Sequence, residues 1–298
     1  MLRHNETNSS LLLWLAWSSF FLFFGRAYQY YFFGAPYTAL LWDESLLSPL
    51  IESLGYSWYN YSTSTITSKY ISLSINLSAL FFLFSSLLSF SFSRIYFLQQ
   101  FKRVLLSVSL TLLVFLGICL VKDKNYDLLQ FFELSSQFVV PIVLLMYYKN
   151  QELKRKSITL ILRVAIALTF IPHGLFAMGI PYVPGNFIDM CIKILGISEN
   201  QSTSLLFIVG ILDITFSIML FFPKTVEGAL LYCTIWGMST AIARLVFGIQ
   251  ANFFWSSLHN TLADFIFRIP NGLIPLTALF SMSTKYFNKK LRKITNEK

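Results

Sequence analysis

Seven ionisable side chains other than histidine fall inside long apolar stretches of this sequence. They are Arg26, Glu133, Arg163, Asp213, Arg244, Asp264 and Arg268. At the centre of a membrane helix each such group costs about 2.5–3.5 kcal/mol, so we expect most of them to face a bundle interior and pair there. Glu133 and Asp213 are therefore expected in buried ion pairs. For Asp213 the candidate partners are Arg244 and Arg163, and a proton relay is the alternative.

The polar groups also concentrate towards one end of the apolar stretches. Asp264, Arg268 and Asn271 are spaced four and three apart, which places them on one helical face. The excess of arginine suits an anion, a carbonyl-bearing ligand or a lipid phosphate. The predicted ligand site consists of Arg26, His173, Arg244, Asp264, Arg268 and Asn271. Arginine and asparagine would hydrogen-bond the ligand oxygens, and His173 or Asp264 would handle a proton.

Each of these residues also has a purely structural interpretation. Asp264 and Arg268 are spaced as an internal i,i+4 ion pair, and the aromatic residues around Arg26 suit cation–π packing. A single histidine in a helix, such as His173, is more often a hydrogen-bonded structural group than a ligand. The polar side chains would then hold the bundle together and do nothing else.

The familiar catalytic signatures are absent from the sequence. It contains no Walker A loop, dinucleotide fingerprint, HExxH or GxSxG motif. The three cysteines form no CxxC pair, and three histidines are too few for a di-haem cytochrome. We therefore expect no metal site and no stand-alone catalytic activity.

The apolar stretches are long and numerous enough to form a polytopic membrane bundle. Of the 298 residues 55% are hydrophobic and only 12% are charged, which is too little charge to cover a soluble domain. A spanning helix needs roughly 20 mostly apolar residues. About eight transmembrane helices are predicted, at 11–33, 71–92, 103–121, 128–148, 158–180, 203–222, 226–249 and 259–284. The first is expected to be an uncleaved helix because it lacks a small-residue cleavage site.

The basic residues predict the orientation of the chain. With the N-terminus inside, 15 Lys and Arg residues fall on the inner side and four on the outer side. Both termini are therefore expected in the cytoplasm, with the chain in the cell membrane. Lys102 and Arg103 belong to the inner set, which we interpret as anchors beside anionic lipid headgroups. This placement argues against nucleic acid as a partner and favours membrane lipids.

The two halves of the chain share short motifs in the same order. Gly34-Ala35-Pro36-Tyr37 in the first half corresponds to Gly179-Ile180-Pro181-Tyr182 in the second. Further on, Leu54-Gly55-Tyr56-Ser57 corresponds to Leu195-Gly196-Ile197-Ser198. Near the end of each half, Gln130, Gln137 and Pro141 have the same spacing as Asp264, Asn271 and Pro275. These matches predict two four-helix units, 1–150 and 151–298, as parallel repeats. The first would carry a long outer loop, 34–69, with a short interfacial helix near 37–55, and the second a basic cytoplasmic tail.

The second half resembles the DoxX-like and DoxD-like membrane proteins. In that family an Arg opens the first helix and a His-Gly pair follows about ten residues later, as Arg163 and His173-Gly174 do here. Asn271-Gly272, followed by Pro275-Leu276, is similar to the family's last helix. The resemblance covers roughly 158–285, with a weaker copy in 11–148 where Tyr28 or Gln29 replaces His-Gly. The first half also faintly resembles the HTTM group.

The resemblance implies a four-helix membrane unit and a role beside a redox partner, either in quinone-linked sulfur oxidation or in thiol redox systems. No cysteine pair supports thiol exchange. The leading hypothesis is a redox-accessory subunit that binds a quinone or small anionic ligand in an outer-facing polar pocket. The alternatives are a transporter or lipid-handling protein and a structural assembly factor.

Overall fold

The computed structural model describes residues 2–91, 96–149 and 155–282. These ranges form helices and no strands. The helices are α1 (Leu2–Phe33), α2 (Thr38–Leu41), α3 (Glu44–Ser53), α4 (Trp58–Thr63), α5 (Thr65–Leu87), α6 (Tyr96–Asp123), α7 (Leu129–Glu133), α8 (Ser135–Lys149), α9 (Arg155–Met178), α10 (Gly185–Leu195), α11 (Glu199–Met219), α12 (Val226–Gly248) and α13 (Phe254–Ile266), followed by α14 over 270–282. The predicted basic tail beyond 282 lies outside the described residues.

The prediction of an all-α polytopic bundle is confirmed. Within the described ranges, seven helices are long and apolar enough to cross a membrane. The predicted fourth span, 128–148, is instead divided at Leu134 into α7 and the 15-residue α8. The last crossing, Ala251–Met282, is also interrupted, because residues 267–269 form a turn between α13 and α14.

Polar caps fix where several of the helices begin. The Asp43 carboxylate accepts a hydrogen bond from the Leu46 amide and starts α3. Ser64 caps α5 in the same way, and Ser198 and Gln201 form a capping box at the start of α11. Each cap satisfies amides that a helix leaves unpaired at its N-terminus. The short helix predicted near 37–55 is present as the two helices α2 and α3.

Two long helices, α1 and α9, lie at the centre of the bundle. Helix α1 packs against α5, α8 and α13, and α9 packs against α7, α8 and α11. The main apolar core runs between them and includes Leu22, Phe23 and Ile166, all fully buried. The interrupted helices α7–α8 and α13–α14 thus lie against the two central helices.

The order of elements is similar in the two halves. Each begins with a long helix, continues through a loop with a short helix to two long helices, and ends with an interrupted crossing. The glycines of the matched motifs, Gly34, Gly55, Gly179 and Gly196, all adopt positive φ. Helices α2 and α4 have no counterpart in the second half. Duplication of a four-helix unit, with its boundary near 150, stays a prediction.

Candidate functional site

Asp213 is the most buried charged residue of the site, with 0% of its surface exposed. Its Oδ2 lies 2.8 Å from His173 Nδ1, and its Oδ1 accepts a 2.7 Å hydrogen bond from the Tyr232 hydroxyl. Both carboxyl oxygens therefore face donors, as an ionised carboxylate requires. The predicted pairing with Arg244 or Arg163 is wrong, because Arg163 contacts the Leu220 carbonyl oxygen and Arg244 makes no such contact among the described residues.

Asp213 fixes the orientation of the His173 ring. With Nδ1–H donating to the carboxylate, Nε2 is the ring atom left to gain or lose a proton. No described residue hydrogen-bonds Nε2. The Phe187 ring lies beside the imidazole, with 5.2 Å between the ring centroids. The three residues from α9, α11 and α12 thus form a Tyr–Asp–His chain that ends on one exchangeable nitrogen.

Glycines beside the polar residues allow the helices to approach closely. Gly174 follows His173, and a Cβ at Gly210 would lie 2.5 Å from the Gly174 carbonyl oxygen. Gly237 follows Trp236 and packs on the backbone of Asn271. Small residues at such crossings bring helix backbones together in membrane proteins. The short distance between α9 and α11 is what lets His173 reach Asp213.

A cavity of about 20 Å³ lies next to His173. This is space for about one water molecule. The cavity is lined by Glu133, Thr169, Phe170, His173, Trp236, Gly237, Thr240 and Asn271. The indole Nε1 of Trp236 is buried and has no hydrogen-bond partner in the described part of the chain. The prediction of a buried ion pair for Glu133 is wrong, because this partly exposed side chain has no hydrogen bond and no ion pair among the described residues. A buried donor and a carboxylate thus border the same space unpaired.

A hydrogen-bonded group connects α8, α9 and α14 beside this cavity. The Ser136 hydroxyl donates to Asn271 Oδ1 over 2.8 Å, and its amide donates to Thr169 Oγ1 over 2.8 Å. Because Asn271 uses its oxygen here, its side-chain NH₂ remains without a partner in the described part of the chain. The wall of the cavity therefore offers two N–H hydrogen-bond donors near His173, from Trp236 and Asn271.

Arg26 has partners of its own. Its Nε and Nη2 donate to Gln137 Oε1 at 3.1 and 2.6 Å, and Nη1 donates to Gln29 Oε1 at 2.7 Å. The guanidinium also lies 3.8 Å from the centroid of the Phe267 ring. With 3% of its surface exposed, Arg26 is held by contacts within the protein. It does not line the cavity.

The remaining charged residues of the predicted site lie near the cavity without lining it. Arg268 Nη1 is 3.5 Å from Asp264 Oδ1, the predicted i,i+4 pair. Arg244 makes no hydrogen bond to a described residue, and its Cζ lies 5.9 Å from the centroid of Phe187. Glu133, Asp264 and Arg268 are the charged residues that interact electrostatically with Arg244. Arg244 and His173 therefore contact the same phenylalanine.

The structure brings part of the predicted site together. His173 and Asn271 line the cavity with Glu133, whereas Arg26, Arg244, Asp264 and Arg268 do not. Sequence reasoning missed Tyr232, Thr169 and Ser136 as partners, because hydroxyl side chains are common in apolar helices and carry no positional signal. Within the described ranges no group of three or more His, Cys, Asp or Glu residues could hold a metal ion.

Comparisons with family models, with curated proteins and with solved structures found no match to this chain. The similarity to the DoxX-like proteins therefore stays a prediction from the sequence. The polytopic helix bundle and the polar cavity carry the functional argument.

Proposed function

We propose that this chain is a multi-pass cell-membrane protein that binds the oxygen-bearing head of a small ligand at the cavity and exchanges one proton with it through His173. The observation that carries the proposal is the hydrogen bond between buried Asp213 and partly buried His173, beside a polar cavity that the buried and unpaired Trp236 Nε1 also lines. Buried charged groups are costly within a membrane, and they mark functional sites there. Packing alone does not require an unpaired donor and an unpaired carboxylate side by side.

Each group has a defined part in the proposed reaction. Trp236 and Asn271 donate hydrogen bonds to the ligand oxygen, which takes the place of the single water the cavity can hold. Asp213 stabilises the imidazolium form of His173, so the ring can accept a proton and return it. Glu133 is the second proton-accepting group at the cavity. Arg244 and Arg268 supply positive potential that favours an anionic or enolate-like oxygen.

A quinone is the leading candidate for the ligand, and a small anionic molecule is the alternative candidate. Quinones carry carbonyl oxygens that gain protons on reduction, which suits a site with one exchangeable histidine nitrogen. The cavity admits one oxygen atom and not a ring, so the ring must displace Trp236 or pack against Phe170. In this proposal the protein is a redox-accessory subunit, and the electrons come from a partner protein.

The membrane orientation is part of the same proposal. The distribution of Lys and Arg supports a cytoplasmic location for both termini. His173 then lies in the outer part of α9, so the cavity faces the outer leaflet. Lipids are the expected neighbours of the apolar outer surface.

Ligand titration of the purified protein tests the proposal. A series of short-chain quinones and small anions is titrated while tryptophan fluorescence and proton uptake in weakly buffered solution are recorded. Saturable binding is expected for the unmodified protein, and binding of an anion should be accompanied by uptake of about one proton at His173. His173→Asn should abolish the proton uptake and weaken binding at least tenfold, which corresponds to about 1.4 kcal/mol. His259→Asn is the matched control, because His259 contacts Tyr28 and not the cavity. No binding across quinones and small anions would overturn the proposal.

Transport is the second candidate, and one observation favours it. Interrupted helices lie at corresponding positions of the two halves, at Leu134 and at 267–269. In secondary transporters such paired interruptions mark the substrate site. Proteoliposomes would take up a small anion from the surrounding solution, and this uptake would be lost on Asp213→Asn. Binding without uptake would leave the accessory-subunit proposal in place of the transporter.

A further inference from the structure

Lys102 is buried in the first half of the bundle, away from the cavity at His173. It lies near the start of α6 and exposes 2% of its surface. Its Nζ has no hydrogen-bond partner among the residues that the structure describes. The sequence predicted Lys102 as an anchor beside lipid headgroups, and that interpretation is wrong, because the side chain points into protein. An ammonium group without a partner in the interior needs a counter-charge.

A second cavity adjoins this lysine. Its volume is about 10 Å³, close to the space of one water molecule. The polar lining residues are Ser19, Ser85, Ser89, Lys102 and Tyr148, and leucines form the rest of the wall. Lys102 Nζ lies 5.4 Å from the centroid of the Tyr148 ring. The described residues that line this space include no carboxylate.

The serine hydroxyls at this cavity can turn one hydrogen towards a ligand. Ser89 Oγ lies 2.8 Å from Ser19 Oγ and 2.9 Å from the Ser85 carbonyl oxygen. Ser89 has a single hydroxyl hydrogen, so Ser19 donates to Ser89 when Ser89 donates to the carbonyl, and the Ser19 hydrogen becomes available to a ligand when Ser89 donates to Ser19 Oγ instead. The guanidinium of Arg103, next in the chain, contacts the Tyr148 carbonyl oxygen and adds positive charge near the cavity. The free groups here are donors and cations.

We propose that this cavity binds one small monovalent anion of the halide class. The Lys102 ammonium supplies the opposite charge and the Ser19 hydroxyl supplies a hydrogen bond. A halide is only slightly larger than a water molecule, whereas a phosphate group with four oxygens does not fit the space. The anion would complete the interface of α1, α5, α6 and α8. The site is separate from the cavity at His173, and its existence does not depend on the proposed ligand or proton chemistry.

Halide titration of the full-length protein in detergent is the primary test. The thermal unfolding midpoint is measured against sodium chloride or bromide, with ionic strength held constant by sodium gluconate. A saturable rise is expected for the unmodified protein. Lys102→Met keeps the length of the side chain and should abolish the halide dependence. Lys122→Met is the matched control, because Lys122 lies at the other end of α6 and pairs with Asp43.

Two further measurements keep the proposal open to refutation if Lys102→Met does not fold. Ser19→Ala retains the charge of Lys102 and removes the Ser19 hydroxyl, so the halide concentration at half-effect should rise several-fold. A structure determined in bromide should contain an anomalous peak between Lys102 and Ser19. Absence of the peak together with a midpoint that is independent of halide would overturn the proposal and would indicate a neutral lysine beside a water molecule.

Discussion

The hydrogen bond between Tyr232 and Asp213 offers the sharpest test of how the site is built. Asp213 has no exposed surface, and Tyr232 donates to its Oδ1 over 2.7 Å. Tyr232→Phe removes the donor and leaves half of a buried carboxylate unpaired. A hydrogen bond to a charged group contributes about 1.5–3 kcal/mol, so we expect a loss of that size in the free energy of unfolding. The rings are nearly isosteric, so the packing on Phe216 is kept.

A double-mutant cycle separates this bond from general damage. Asp213→Asn alone removes the charge, and a buried ion pair that loses one partner costs about 3–5 kcal/mol. When Tyr232→Phe is added, its further cost should be smaller by about 1–2 kcal/mol, because the strong acceptor has already been replaced. Unfolding in mixed micelles at increasing dodecyl sulfate gives the four free energies. Asp264→Asn is the control, since that side chain is 48% exposed and should lose less than about 1 kcal/mol. Additivity within about 0.5 kcal/mol would refute a direct bond.

Two other predictions test the helix approach and the outer loop. Gly210→Ala places a methyl group 2.5 Å from the Gly174 carbonyl oxygen, so it should lower the free energy of unfolding by about 1–3 kcal/mol and weaken ligand binding. Gly228→Ala is the control, because nothing lies within 4 Å of the added methyl group, and it should be neutral or slightly stabilising. A dodecyl sulfate titration measures both. The Lys122 ammonium and the Ser45 hydroxyl lower the pKa of Asp43 from its ordinary 3.8 to about 2, so the stabilisation from this carboxylate is complete above pH 4 and is lost as the pH falls through about 2. A carbon-detected NMR titration of Asp43 would show this midpoint, and in Lys122→Met the midpoint should return towards 4.

The helical crossings could be predicted from the sequence because hydropathy alone determines them. The interruption at Leu134 could not, because the polar residues around it, such as Glu133 and Ser135, suit a continuous helix as well as a broken one, and the break depends on how α7 packs on α9. Pro141, the residue that suggests a break, lies inside α8 instead.

The composition of the site was predicted better than its pairing. The sequence identified Asp213 and His173 as buried polar groups, but the depth of a residue along its helix does not give the rotation of that helix. Asp213 therefore faces His173 and Tyr232 and not an arginine. Lys102 was misplaced for a related reason, since a lysine near a helix end can face lipid headgroups or the protein interior. Only the packing of α6 on α5 and α8 decides between them.

Arg26 makes the two interrupted helices mechanically interdependent. Its guanidinium binds Gln137 on α8 and stacks on Phe267 in the turn between α13 and α14. Neither segment can slide by one helical turn, about 5.4 Å, without giving up one of these contacts. A displacement of α8 would therefore affect the turn between α13 and α14 through the side chain of Arg26. Helix α1, which carries Arg26, links the two interrupted helices.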